Sequence, residues 1–76
     1  MNESFFNNLK WYEDNRETLL KDYNRYFIAI EGGEVIEYSK DIQRFYDRLS
    51  KNPQNSESTL IRFISTAFPE IPVLEE

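Results

Sequence analysis

The chain has 76 residues, the length of one domain, with a formal net charge of −5 and neither cysteine nor histidine. That composition leaves no disulfide, no common zinc site, no thiol nucleophile, no imidazole base and no haem or iron–sulfur ligation. Six Phe, five Tyr and one Trp are a large aromatic set for this length, and a domain this small has to commit most of those rings to its core.

Ser4 to Tyr23 reads as a helix. Phe5, Leu9, Tyr12, Leu19, Leu20 and Tyr23 follow the 3–4 spacing of one buried stripe, with Arg16 as its polar interruption. Asp14-Asn15-Arg16-Glu17 carries the signature of a second N-cap. The stripe keeps its phase across those residues, so a continuous helix is expected. Trp11 lies off the stripe, roughly 130° from its mean direction at about 100° per residue. Two readings stand for it. Either its ring folds over a neighbouring turn or is wrapped by helix and sheet, or it is an exposed anchor of the type enriched at interface hot spots.

The only two glycines, Gly32 and Gly33, sit side by side between Tyr-Phe-Ile-Ala-Ile-Glu and Glu-Val-Ile-Glu-Tyr. Such a pair predicts a two-residue hairpin, because a type I′ turn needs φ > 0 at both central positions. The hairpin is expected to pair Arg25–Glu31 with Glu34–Ser39, so that Ile30 faces Val35, Ala29 faces Ile36 and Phe27 faces Tyr38. Both faces then carry apolar side chains, and Glu31 meets Glu34 in a mild like-charge contact.

Ser39-Lys40-Asp41 supplies cap chemistry for a further helix over 40–50, with Ile42, Phe45, Tyr46 and Leu49 on one side. Pro53 stops it, and residues 51–58 form the polar, loop-like stretch. Thr59 to Phe68 also fits a helical period, but its β-branched and aromatic content predicts a third strand. Pro69 and Pro72 extend the rest.

The elements give an α+β fold of order α-β-β-α-β: a single domain over 1–68 and an extended tail over 69–76. The most apolar strand is placed in the centre of a three-stranded, mainly antiparallel sheet. The third strand lies beside it, and both helices cover one face.

Three blocks carry a family resemblance: residues 11–23 (Trp-Tyr-Glu-Asp-Asn-Arg-Glu-Thr-Leu-Leu-Lys-Asp-Tyr), residues 26–30 (Tyr-Phe-Ile-Ala-Ile) and residues 33–36 (Gly-Glu-Val-Ile). Over most of 9–68 the chain resembles a widespread family of small, uncharacterised prokaryotic proteins. Their pattern is a helix ending in tyrosine, a "Tyr-Val-Ala-Ile" type strand, a "Gly-Glu-Val-Val" type return strand, an acidic-capped helix and a final strand. Asn24-Arg25 stands where members usually carry Pro-Gly or Glu-Gly. The resemblance implies the α+β fold and a non-enzymatic accessory role. Some members are encoded beside retropepsin-like aspartic proteases, which implies a protein partner. It carries over no catalytic residue and no cofactor.

The carboxylates themselves point away from catalysis. Glu13, Asp14 and Glu17 are interleaved with Lys10, Arg16 and Lys21, the pattern of a solvated face. Glu31, Glu34 and Glu37 lack calcium-loop spacing, and no serine has a base beside it. The nine basic residues are dispersed along an acidic chain, which argues against nucleic acid. No segment has the apolar length of a membrane span or the make-up of a signal peptide, so a cytoplasmic location is expected.

Binding another protein is the function that remains. The residues expected to contact the partner are Trp11 and Asn15 on the first helix, Tyr38 on the hairpin, and Ile71, Val73 and Leu74 in the tail. An open sheet edge also offers a route to a homodimer. Two alternatives are a phage or mobile-element inhibitor of a host or defence enzyme, and a small-molecule binder using an aromatic sheet face of Phe27, Tyr38 and Phe63.

Overall fold

The computed structural model describes residues 3–65. Within them the chain is an α+β fold of three helices and a three-stranded antiparallel sheet. Helix α1 spans Glu3–Asp14 and α2 spans Arg16–Asp22. Strands β1 (Tyr26–Ile30) and β2 (Val35–Ser39) precede helix α3 (Ile42–Ser50), and strand β3 (Leu60–Ile64) follows it. The sheet order is β2-β1-β3, so the most apolar strand is central, as expected.

The expected continuous first helix is broken at Asn15. Its side-chain Nδ2 donates to the Trp11 carbonyl at 2.8 Å, alongside its own backbone N–H at 3.0 Å. A short amide side chain that competes for helix carbonyls lets the chain leave helical geometry for one residue. The helix then resumes, with the Asn15 carbonyl accepting from the Leu19 N–H.

Gly32 and Gly33 have φ of 64° and 75°, the left-handed backbone that a type I′ turn requires. Ile30 faces Val35 as expected, but a bulge between Ala29 and Ile30 shifts the remaining register by one residue. Ala29 now faces Glu37, Ile28 faces Tyr38 and Phe27 faces Ser39. Ile36 is the extra residue. Asn52 Nδ2 donates to its carbonyl at 2.9 Å, which fills a group the ladder leaves open.

The helices lie on opposite faces of the sheet, not on one. Ile28, Ile30, Leu60 and Ile64 form one core with Leu19, and Leu9, Trp11, Tyr12, Leu20 and Tyr23 pack against it. On the other face Ala29 meets Phe45 and Leu49 of α3, joined by Phe27, Ile36 and Ile61. The cause is in β1 itself: an unbroken apolar run has to be covered on both sides. Arg62, on the α1 side, lays its guanidinium 5.4 Å from the centroid of the Tyr12 ring.

Helix α3 begins two residues later than expected, at Ile42, because Asp41 is its cap. Asp41 accepts from the N–H groups of Gln43 and Arg44 at 2.9 and 3.2 Å, and Ser39 Oγ accepts from the Asp41 N–H. Phe45 and Leu49 are buried, whereas Ile42 and Tyr46 of the same expected stripe are exposed. Arg48 pairs with the largely buried carboxylate of Glu37 at 2.8 Å. The loop expected over 51–58 runs one residue further, through Thr59, and β3 follows as a strand rather than a helix.

Candidate functional site

The break at Asn15 decides which side of α1 faces inward. Taken alone, α1 is centred on Asn8 and Tyr12, with Leu9 and Trp11 about 80° to either side at ~100° per residue. Trp11 therefore flanks the buried face, half-buried against the α1-side core. Its indole stands beside the hairpin turn: Cδ1 is 3.7 Å and Nε1 3.9 Å from where a Cβ at Gly33 would lie. The two readings of this residue meet here. The ring packs on the core and also walls a cleft.

That cleft, about 270 Å³, runs between α1 and the hairpin turn and is lined by Ser4, Asn7, Asn8, Trp11, Glu31, Gly32 and Gly33. Among the described residues, one carboxylate lines it and no basic side chain does. Asn8, only 2% exposed, ties its walls together. Its Nδ2 donates to Glu31 Oε1 at 2.8 Å and to the Ser58 carbonyl at 2.9 Å, and its Oδ1 accepts from the Gly32 N–H at 3.2 Å. Ser58 Oγ, also buried, donates to the same Glu31 oxygen at 2.9 Å.

Glu31 and Glu34 share a backbone hydrogen bond, but their carboxylates part, which removes the expected like-charge contact. Glu31 is drawn under α1, while Glu34 Oε2 accepts from Gln54 Nε2 at 3.0 Å. Glu31 Oε2 and the side chains of Ser4 and Asn7 make no hydrogen bond with any described residue. The cleft thus presents a fixed carboxylate, two polar side chains and the edge of an indole.

Of the other residues expected at a partner surface, Asn15 sits at the helix break with its side chain turned onto Trp11. Tyr38 lies at the far end of the hairpin, in a cluster with Tyr23 and Tyr26 at centroid distances of 5.3 and 5.8 Å. Burial, then the neighbouring Tyr38 and Asp22, push the Tyr23 hydroxyl pKa above its ordinary value. Lys40 Nζ stands 5.2 Å from the Tyr26 ring centroid. Ile71, Val73 and Leu74 lie outside the described residues.

The expected aromatic face of Phe27, Tyr38 and Phe63 does not exist as one surface. Phe27 and Phe63 stack at 4.7 Å on the α3 side, and the bulge turns Tyr38 to the opposite side. Sequence reasoning passed over Asn8, Glu31 and Ser58 as a group. The signal present was Asn8 itself, a polar residue at the helical spacing between Phe5 and Tyr12.

Among the described residues no three carboxylates gather where they could hold a metal ion, and no helix is long and apolar enough to cross a membrane. Comparison with protein-family models, curated proteins and solved structures finds no match to this chain.

Proposed function

We propose that this chain is a small, non-catalytic interaction module that grips another protein through the cleft between α1 and the hairpin turn. The observation that carries this reading is the wall made by Trp11 and Gly33 beside polar groups that no described residue satisfies. Tryptophan in such a position is the side chain most often found at the energetic centre of an interface. Trp11 is half-held by the core, so little conformational freedom is lost when a partner meets it.

The family resemblance supports the same reading. Arg25 has φ of 70°, the conformation that the glycine of the family's Pro-Gly or Glu-Gly step adopts most easily. An accessory role beside a partner protein fits a short acidic chain of this kind. An inhibitor of a host or defence enzyme would be one form of such a module.

The test blocks the cleft from its exposed rim. Ser4→Tyr adds a ring at an exposed position that makes no hydrogen bond with a described residue. Immobilised wild-type protein should retain a partner from a lysate of the source cells, and the variant should lose that protein alone. If the same proteins are retained by both, the cleft is not the gripping surface.

A further inference from the structure

We infer that the cleft receives a lysine side chain of the partner, with its ammonium held by Glu31. This rests on the reading of the cleft as the gripping surface and names the chemistry it grips.

Glu31 is fixed at one oxygen only. Asn8 Nδ2 and Ser58 Oγ both donate to Oε1, at 2.8 and 2.9 Å, and both donors belong to buried residues. Oε2 accepts from no described residue. Two buried polar side chains aimed at one oxygen hold the carboxylate in a single orientation, and the other oxygen keeps its capacity to accept. The carboxylate is half-buried, where a charge is less screened than at a bare surface.

The remaining walls suit an ammonium on an alkyl stem. An ammonium has three donors, and Glu31 Oε2, the Asn7 amide oxygen and the Ser4 hydroxyl are three acceptors lining one space. The stem is apolar and lies well against the edge of an indole. Among the described residues the cleft is lined by no cation that would oppose it, and the net charge of −5 attracts a basic partner from a distance. An anionic ligand would meet the Glu31 charge and, among the described lining residues, no compensating group. A neutral apolar side chain would leave Glu31 Oε2 desolvated and unpaired.

Trp11 is the only tryptophan in the chain, so its fluorescence reports occupancy of the cleft. The probes are Nα-acetyl-lysine methylamide, its Nζ-acetylated form and cadaverine. The first should change Trp11 emission saturably, with a dissociation constant on the order of millimolar for so small a probe. The Nζ-acetylated form should give no saturable change. Glu31→Gln keeps an oxygen for Asn8 and Ser58 and removes the charge; it should weaken the lysine probe by about tenfold or more. Lysine must also bind more tightly than cadaverine, which lacks the flanking peptide groups. Cadaverine binding as well as or better than lysine would assign the cleft to free diamines and overturn the inference.

An equal response to both lysine forms, wild-type affinity in Glu31→Gln, or no response up to roughly 100 mM would also overturn it. If these arms fail while Ser4→Tyr abolishes partner capture, the lysine assignment alone falls. If Ser4→Tyr leaves capture intact, the gripping-surface reading falls, and the lysine assignment falls with it.

Discussion

Asn8 and Glu31 are 23 residues apart in the chain and are joined by a 2.8 Å hydrogen bond beneath α1. The same amide reaches the Ser58 carbonyl, so one side chain fastens the first helix to both the hairpin turn and the loop that leads into β3. Removing it leaves the buried Ser58 carbonyl and the Gly32 N–H without this partner, and Glu31 Oε1 with Ser58 Oγ alone. Asn8→Leu is expected to cost about 2–3 kcal/mol, the penalty for a buried Ser58 carbonyl left unsatisfied and a Glu31 carboxylate short of one donor. In a domain this size that lowers the melting temperature by roughly 10–20 °C. A thermal melt within a few degrees of wild type would show that the network is dispensable.

The two glycines separate backbone strain from side-chain contact. Alanine at either position has to hold φ of 64° or 75°, which costs an L-residue about 1–2 kcal/mol. A Cβ at Gly32 meets nothing within 4 Å, and one at Gly33 meets the Trp11 indole at ordinary contact distance. Gly32→Ala and Gly33→Ala should therefore lose similar stability in urea titrations. Only Gly33→Ala should alter the Trp11 emission spectrum.

Arg25 is the one non-glycine among the described residues with positive φ, at 70°, and its N–H donates to the Ile64 carbonyl at 2.6 Å. Arg25→Gly keeps that donor and relieves the strained backbone, against the greater freedom glycine has when unfolded. The net expectation is a gain of about 0.5–1 kcal/mol. Chemical denaturation checks it, and a loss of stability would mean that the arginine side chain holds the turn.

Tyr23 gives the fold a dependence on high pH. Its hydroxyl pKa is raised above 10.0 by burial first, then by Tyr38 and Asp22. Above pH 10 the unfolded chain gives up this proton more readily than the folded one. The stabilisation is therefore complete below pH 10 and is lost as pH rises through the folded value. Tyr23→Phe should flatten the fall in stability as pH rises above 10, relative to wild type. An unchanged slope in melting temperature against pH would place the alkaline sensitivity elsewhere.

The parts of the fold set by neighbours in sequence were legible in it. The Gly32-Gly33 turn, the Asp41 cap and the apolar run of β1 each act within a few residues, and each appears where those residues predict it. The break at Asn15 was written there too. The apolar stripe outweighed it only because Leu19 and Leu20 happen to keep phase with Leu9 and Tyr12. The bulge at Ile36 has no local signature, since its open carbonyl is filled by Asn52, sixteen residues away. The cleft was hidden for the same reason: Asn8, Glu31 and Ser58 meet only after the chain has closed on itself, and each alone reads as an ordinary polar residue.

The bulge at Ile36 has a consequence for how copies of this molecule meet when crowded. With the Ile36 carbonyl already occupied by an amide from the loop after α3, a chain approaching the hairpin there finds one acceptor fewer to pair with.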